Sequence, residues 1–347
     1  GGGEAAAAPA AALALAPPPP AWSAWIAPAP ASVRLRLFCL PYAGGVSEAV
    51  FGKWGQLLPP CVQVCPVELP GRGRRREEPP AEDARALAAD LLGRLPIGSR
   101  GDGVPYALFG ACLGGIVAYE LAAAAVAAGE PPPLVLAVAA VSPPDLYAEA
   151  VAKLYVMPGD GGGGNGGGGG GGGVGVDGSA AAAAPASSTI AAATSKLRSW
   201  RSLPRAVVMS VFQKGNFAGV ADMAANPRLF DRVAPIGVAD ILMAVSYVAP
   251  PPGRPALGGG GGMHAVLAFE GGVDATIAPG AVAQWARFVD ETSTPFTLVP
   301  VPGGDHYFVA SRHREVAVTL GSVLLDAVEA RLPGGLLGEG HSWVEGA

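Results

Sequence analysis

The chain has 347 residues, a formal net charge of −5 and 50% hydrophobic residues, much of that alanine. This length can bury a substantial core in one large domain or two small ones. There is no long basic stripe, which argues against nucleic-acid binding, and no uninterrupted apolar run long enough to cross a membrane. The 4 cysteines and 4 histidines are too few and too dispersed for a zinc site, so we expect no metal. We also expect no cofactor.

Short apolar runs alternate with helical patterns along the chain. Strands alternating with helices at this spacing predict a mostly parallel, doubly wound sheet flanked by helices. Two helical patterns within residues 195–247 lie between strands, where a lid would be inserted. In chain order the predicted elements are a strand at 33–40, a helix containing Phe51, Trp54 and Leu57, a strand at 62–67, a helix at 81–95, a strand at 106–109, a helix at 116–128, a strand at 134–141, lid helices at 197–217 and 227–247, a strand at 264–269, a helix at 279–289, a strand at 296–301 and a helix at 315–332.

Glycine and proline, at 52 and 35 residues, cluster in a few stretches instead of spreading evenly. Such stretches bury too little apolar surface to fold alone, so we predict one folded domain at 33–332 with unstructured segments around and inside it. The segments predicted to be disordered or loose are an Ala/Pro-rich stretch at 1–32, a Gly/Ala-rich insert at 159–190, a Gly-rich insert at 258–262 and a C-terminal tail at 333–347.

The N-terminal stretch carries no targeting signal of the usual kinds. Residues 5–31 contain no Arg or Lys, which argues against a basic signal region or an Arg-rich transit peptide within the given sequence. The first residue is Gly1 and not Met, so an upstream targeting segment stays open. We expect a protein of the cytoplasm or of an organelle stroma.

A predicted strand, the pentapeptide Gly110-Ala111-Cys112-Leu113-Gly114 and an apolar helix follow one another, which is the order of a nucleophile elbow. The elbow turn is tight enough to need glycines, and the helix N-terminus that follows it favours a thiolate at Cys112. The N–H of Leu113 is then one candidate oxyanion donor, and Ala43 in the loop at 41–45 is the other. Because glycine is abundant in this chain, the pentapeptide alone fits a chance turn around a buried cysteine equally well.

Residues further along the chain favour the catalytic interpretation. An elbow requires an acid and then a histidine, each in a loop just after a strand, and Asp274 and His306 occupy such positions in that order. Asp305 is a rival acid, but a direct neighbour in sequence cannot easily reach back to orient the His306 ring. We therefore predict a Cys112–Asp274–His306 triad.

Several segments together resemble type II thioesterases, the stand-alone hydrolases that accompany fatty-acid, polyketide and nonribosomal-peptide synthases. The resemblance covers roughly residues 33–330 apart from the two Gly-rich inserts. The most specific segments are Pro41-Tyr42-Ala43-Gly44-Gly45 and Leu69-Pro70-Gly71-Arg72-Gly73, which come in the right order before the elbow. The other resembling segments are Asn226-Pro227-Arg228-Leu229, Ala239-Asp240, Tyr247, the Asp274 loop and Pro302-Gly303-Gly304 with His306.

This resemblance implies an α/β-hydrolase fold whose lid at 195–247 shapes an acyl tunnel. It implies hydrolysis of acyl chains from the phosphopantetheine arm of an acyl-carrier protein or from coenzyme A, so the phosphopantetheine arrives with the substrate. The residues that match the family's triad are Cys112, Asp274 and His306, and Ala43 and Leu113 match its oxyanion donors. We expect a monomer whose partners are acyl-carrier protein or acyl-CoA.

The elbow departs from the family, because Ala111 and Cys112 stand where its members normally carry His and Ser. A thiolate can still attack a thioester. The covalent intermediate would itself be a thioester, which makes transfer to another thiol easier. Acyl transfer, carboxylester hydrolysis and a catalytically weak acyl-carrier interaction module are therefore alternatives to thioester hydrolysis.

One dense basic cluster stands out in the sequence. It consists of Arg72, Arg74, Arg75 and Arg76, followed by two glutamates. Such a cluster is either a solvated loop or a contact for an acidic carrier protein or for phosphopantetheine. The second interpretation makes these four arginines candidate carrier-binding residues.

Overall fold

The computed structural model describes residues 26–155, 186–214, 217, 219–250 and 262–331. Within these ranges, six strands form one sheet in which every neighbouring pair is parallel. In chain order they are β1 (Leu35–Leu40), β2 (Val62–Pro66), β3 (Tyr106–Ala111), β4 (Val135–Ala139), β5 (Ala265–Gly271) and β6 (Phe296–Val301). Their order across the sheet is β2-β1-β3-β4-β5-β6. The predicted parallel, doubly wound sheet is confirmed, with each strand within about two residues of its expected ends.

The sheet is covered by helices on both faces, and each face has its own apolar core. Strands β1, β3 and β4 are buried along their whole length because they lie in the middle of the sheet. Successive residues of a strand point to opposite faces, so Phe38 packs in one core and Leu37 in the other. The helices are α1 (Ser47–Phe51), α2 (Ala84–Arg94), α3 (Leu113–Ala127), α4 (Pro144–Tyr155), α5 (Ala186–Arg198), α6 (Arg205–Lys214), α7 (Val220–Ala225), α8 (Pro227–Val245), α9 (Phe308–Ser311) and α10 (His313–Glu329).

Helices α4 to α8 lie between β4 and β5 in the chain, and the end of α5 together with α6, α7 and α8 falls within the range 195–247 that was predicted to form a lid. A third apolar core joins α6, α7 and α8. Helix α8 has strong local signals, because the Asn226 side chain caps its N-terminus by accepting from two backbone N–H groups and Pro227 follows at the first position.

The lid differs from the sequence prediction in four places. Helices α4 and α7 were not predicted at all. The insert predicted to be disordered to residue 190 ends earlier, because α5 already begins at Ala186. The single helix predicted at 197–217 is divided into a short 3₁₀ turn and α6, since Pro204 between them lacks an N–H and restricts its neighbour.

Smaller corrections concern helix type and ends. The α-helix predicted at 279–289 is a 3₁₀ stretch, Val282–Phe288. Helix α3 begins at Leu113, three residues before its predicted start, directly after Cys112. The expectations for 1–25, 159–185, 258–261 and 333–347 concern segments outside the described residues. Among the described residues, no helix combines the length and apolar character needed to cross a membrane.

Candidate active site

Cys112 lies at the sharp turn between the end of β3 and the start of α3. Its backbone has φ 49° and ψ −118°, a left-handed conformation that a side chain rarely adopts. Holding a non-glycine residue there costs about 1–3 kcal/mol, which the surrounding fold has to supply. One support is the hydrogen bond that the Cys112 N–H donates to the Ala139 carbonyl at 2.8 Å.

The glycines around Cys112 are required by close backbone contacts. A Cβ atom on Gly110 would lie 2.2 Å from the Gly114 carbonyl oxygen, and one on Gly114 would lie 2.4 Å from the Leu40 carbonyl oxygen. No side chain fits at either position without moving the backbone. The pentapeptide is therefore a nucleophile-elbow turn in geometry and not a chance run of glycines.

His306 is in contact with both other members of the predicted triad. Its Nδ1 lies 2.8 Å from Asp274 Oδ2, the side chains are 7% and 3% exposed, and His306 also hydrogen-bonds Cys112. Asp274 follows β5 and His306 follows β6, two neighbouring strands whose carboxyl ends meet at one edge of the sheet. The rival acid Asp305 is exposed and accepts the Tyr307 N–H at 2.9 Å instead.

Charge and hydrogen bonding shift the pKa values of both buried groups. Burial lowers the pKa of His306, but the Cys112 charge and hydrogen bonds to Asp274 and Cys112 outweigh it and raise the pKa to about 10. Burial raises the pKa of Asp274, but hydrogen bonds from His306 and Thr276 outweigh it and hold the pKa below its ordinary value. The protonated form of His306 is thus favoured, and Asp274 beside it stays ionised.

The two predicted oxyanion donors belong to the residue that follows Cys112 and to a loop that lines the same cavity. Leu113 is the first residue of α3, where backbone N–H groups have no partner within the helix. Ala43 belongs to the loop at 41–45 between β1 and α1, called here the donor loop, and lines the same cavity as Cys112.

A partly open pocket, called here the cavity, lies beside Cys112 and His306. Its lining is mainly apolar, which suits an acyl chain better than a polar substrate. The apolar side chains that line it come from α4, α8 and two loops and are Tyr147, Val151, Leu154, Ile241, Ala244, Phe217 and Ile277.

Only two of the four arginines of the basic cluster are exposed to a partner. Arg72 and Arg75 are 3% and 4% exposed, so the expectation that they contact a carrier is wrong. Arg72 forms an internal ion pair with Asp240. Arg75 forms ion pairs with Glu78 and Asp90. Arg74 and Arg76 are exposed and remain candidates.

Sequence reasoning missed the contribution of α4 to the cavity. A signal was present, since Pro144 at the first helical position is followed by an acidic residue, a common helix start. Tyr147, Val151 and Leu154 then recur at helical spacing and all face the cavity. The described residues contain no cluster of His, Cys, Asp or Glu that would hold a metal ion.

Comparison with known proteins places these features in context. Residues 35–153 match the family model described as the thioesterase domain. A solved structure titled RedJ-Thioesterase, from the prodiginine biosynthetic pathway of Streptomyces coelicolor, is 26% identical with a TM-score of 0.58, over 87% of this chain and 93% of RedJ. The chain has the α/β-hydrolase fold.

The curated relatives match over a shorter stretch. The gramicidin S biosynthesis protein GrsT of Aneurinibacillus migulanus is 33% identical over 93 residues, 26% of this chain and 34% of GrsT. Thioesterase PikA5 of Streptomyces venezuelae is 39% identical over 102 residues, 29% of this chain and 34% of PikA5. The matched part of this chain thus spans about a third of the length of both relatives. The family match includes Cys112, whereas Asp274 and His306 lie beyond its end.

Proposed function

We propose that this chain is a thioesterase that hydrolyses acyl thioesters through an acyl-Cys112 intermediate. The observation that carries the proposal is His306, which contacts both Asp274 and Cys112 at an elbow beside an apolar cavity. The thioesterase-domain match over the elbow and the similarity to RedJ support it.

Acylation begins with attack of the Cys112 thiolate on the thioester carbonyl carbon. The carbonyl oxygen takes up the negative charge, and the N–H groups of Ala43 and Leu113 stabilise it. As the intermediate collapses, the bond from carbon to the leaving sulfur breaks and His306 gives its proton to that sulfur. The acyl group is then bound to Cys112 and the substrate thiol leaves.

Deacylation uses the same groups in the opposite sense. Neutral His306 removes a proton from a water molecule, which attacks the acyl-Cys112 carbonyl carbon. Collapse breaks the bond to sulfur, releases the carboxylic acid and restores the thiolate. Asp274 holds the ring of His306 in the required orientation and stabilises its protonated form.

The substrate is proposed to be an acyl chain on phosphopantetheine, carried by a carrier protein or by coenzyme A. The apolar cavity supports the acyl part of this proposal. The carrier part is supported by RedJ, which is described as a thioesterase of a biosynthetic pathway, and by GrsT, described as a gramicidin S biosynthesis protein.

Transfer of the acyl group to another thiol is the second candidate function. The specific observation that favours it is the cysteine itself, since the acyl-Cys112 thioester has nearly the same energy as the substrate. A thiol that reaches the intermediate before water would form a new thioester at little thermodynamic cost.

The test is a substrate panel of acyl-CoA, acyl-carrier protein and p-nitrophenyl esters, with and without an added thiol acceptor. We expect thioester turnover in the wild type, and a loss of at least about 10³-fold in Cys112→Ala. Cys112→Ser should keep part of the hydrolysis but lose iodoacetamide labelling. Cys61→Ala, at a half-buried cysteine away from the cavity, is the matched control.

Each outcome separates the hypotheses. Free acid as the product supports hydrolysis, and a new acyl-thiol supports transfer. Binding of acyl-carrier protein without turnover indicates an interaction module. If Cys112→Ala turns over like the wild type, Cys112 is not the nucleophile.

A further inference from the structure

Asp240 is a fully buried carboxylate in the middle of lid helix α8. Its two oxygens accept from Arg72, Oδ1 from Nη2 at 2.6 Å and Oδ2 from Nη1 at 2.7 Å. Oδ2 also accepts the backbone N–H of Gly44 at 2.6 Å. One carboxylate of the lid therefore receives hydrogen bonds from two other segments of the chain, one of which is the donor loop.

Arg72 holds the donor loop from a second direction. Its Nη1 donates to the Gly45 carbonyl oxygen at 3.4 Å and its Nε to the Pro70 carbonyl oxygen at 3.4 Å. The N–H of Gly44 and the carbonyl of Gly45 are thus both bound to the same ion pair. These two residues come directly after Ala43, so the backbone next to the proposed oxyanion donor is fixed on the side that Asp240 and Arg72 occupy.

The same loop also packs directly against the lid. Gly44 has φ +76°, and a Cβ atom there would lie 2.9 Å from Phe217 Cε1. Gly45 closes the turn by donating its N–H to the Tyr42 carbonyl at 2.9 Å. The loop therefore has little freedom as long as the Arg72–Asp240 pair is intact.

An oxyanion donor is effective only when it is held in place before the charge develops. Surface loops are ordinarily the least stable parts of a fold, and this one carries a donor. A buried ion pair contributes little to stability compared with apolar residues of the same volume, but its hydrogen bonds fix geometry. The arrangement therefore matches the needs of transition-state stabilisation better than those of folding.

We propose that Asp240, together with Arg72, is a positioning residue that fixes the Ala43 N–H for the oxyanion formed at Cys112. The proposal rests on the function proposed above, because it requires acyl chemistry at Cys112. Asp240 acts through the donor loop and touches no reacting atom. Its neighbour Ile241 lines the cavity, so one helix both contacts the proposed acyl chain and holds the donor loop.

Two reactions of the same thiol test the proposal. Acylation of Cys112 by an acyl thioester passes through an oxyanion, whereas alkylation by iodoacetamide displaces iodide from a saturated carbon and forms none. Asp240→Asn should lower the single-turnover acylation rate constant by about 10- to 100-fold. The same variant should leave the alkylation rate and the affinity for the thioester unchanged.

An ion pair elsewhere in the sheet, between the buried Arg36 and the exposed Asp102, provides a control. Arg36 in β1 is fully buried and binds both carboxylate oxygens of Asp102 at 2.5 and 2.6 Å, before the start of β3 and away from the donor loop. Asp102→Asn should lower the thermal stability but leave acylation unchanged. Asp240→Glu keeps the charge balance with Arg72 while moving the acceptor away from Gly44, so it serves if Asp240→Asn does not fold.

The outcomes are distinct. Slower acylation with unchanged alkylation in folded Asp240→Asn supports the positioning role. Acylation at the wild-type rate in that variant overturns it, and so does an equal loss of both reactions. If Asp240→Asn does not fold, the same two outcomes are read from Asp240→Glu. If the wild type itself is alkylated but never acylated by any thioester, the proposed function fails and this inference fails with it.

Discussion

Two buried carboxylates lie near Cys112, and they differ in the partner that each one binds. Asp274 binds His306 at 2.8 Å, and Asp240 binds Arg72 at 2.6 and 2.7 Å. Histidine can lose its proton near the pH of the cell, whereas a guanidinium stays charged at any pH that the fold survives. The Asp274–His306 pair can therefore take part in proton transfer, whereas the Asp240–Arg72 pair can only fix the position of the backbone that it binds.

A buried carboxylate can thus serve either of two proposed tasks, proton transfer at Asp274 or positioning at Asp240. Both carboxylates are buried and both bind nitrogen donors, so burial and charge alone do not reveal which one belongs to the proton-transfer machinery. The deciding feature is what else the partner touches: His306 reaches Cys112, while Arg72 reaches only backbone carbonyls besides the carboxylate among the contacts described.

The largest expected effect separates the two carboxylates directly. Asp274→Asn should lower kcat for an acyl thioester by about 10³- to 10⁴-fold, because the ring of His306 loses both its orientation and its charge partner. That is at least tenfold more than we expect from Asp240→Asn. Steady-state kinetics provide the measurement, and Asp305→Asn is the control because Asp305 is exposed and binds only backbone in the contacts described. An equal loss in the control would mean that the acid is misassigned.

The second prediction concerns the titration of His306. Its pKa is raised to about 10 in the wild type, chiefly by the Cys112 charge against the lowering effect of burial. In Cys112→Ala the ring should therefore titrate at a distinctly lower pH, while Asp240→Asn should leave its titration unchanged. Imidazole NMR shifts across the pH range measure this. Unaltered titration in Cys112→Ala would show that Cys112 does not raise the pKa of His306.

The sign of the stability effect follows from the same shift. The folded-state pKa of His306 lies above the ordinary value of 6.5. Its protonation therefore contributes fully to stability below pH 6.5, and this contribution is lost as the pH rises to about 10. The Arg72–Asp240 pair gives no such dependence, because arginine keeps its charge over this range.

A third, smaller effect tests the geometry of the second pair. Arg72→Lys keeps the charge next to Asp240 but replaces a planar fork by a single ammonium, which cannot bind both carboxylate oxygens and the Gly45 carbonyl in the same way. We expect acylation to slow by about tenfold, which is the lower limit of the effect expected for Asp240→Asn. Single-turnover kinetics with the iodoacetamide reaction alongside give the answer, and a wild-type acylation rate would show that charge alone is enough.

The smallest expected effect concerns the two exposed arginines of the basic cluster. Arg74→Ala combined with Arg76→Ala should raise KM for an acyl-carrier substrate a few-fold at low salt and leave small acyl thioesters unaffected, since exposed charges act mainly through weak, screened attraction. Arg100→Ala is the matched control, because that arginine precedes β3 and so lies at the sheet edge opposite the elbow. Equal changes for both substrate types would dismiss a carrier contact.

Much of the fold could be predicted because the sequence patterns that indicate its strands and helices are local. Alternating strands and helices predicted a parallel sheet, and in such a sheet the loops after neighbouring strands meet at one edge. Asp274 and His306 follow two such strands, and the structure brings them within 2.8 Å of each other. The elbow could be predicted because its glycines stand within one pentapeptide between a strand and a helix, although the contact that requires Gly114 is made with Leu40 of β1.

Other features could not be predicted, chiefly those that depend on contacts between distant parts of the chain. Arg72 and Asp240 are 168 residues apart, so nothing near Arg72 in the sequence indicates that it points inward. Helix α4 was not predicted because Ser142 and Pro143, after the predicted strand at 134–141, are typical of a loop, and the glycine run follows soon after. The 3₁₀ stretch at Val282–Phe288 has the apolar spacing of an α-helix and differs from one only in its hydrogen bonds.

The backbone of Cys112 also makes this thiol a built-in reporter of the native state. The left-handed turn and the contact with His306 exist only while the surrounding strands are assembled. Cys39 and Cys65 show the reverse behaviour, because burial raises their thiol pKa and protects them until the sheet opens. A fluorescent alkylating dye would thus time the opening of the molecule, because Cys39 and Cys65 become available to it only when the sheet comes apart.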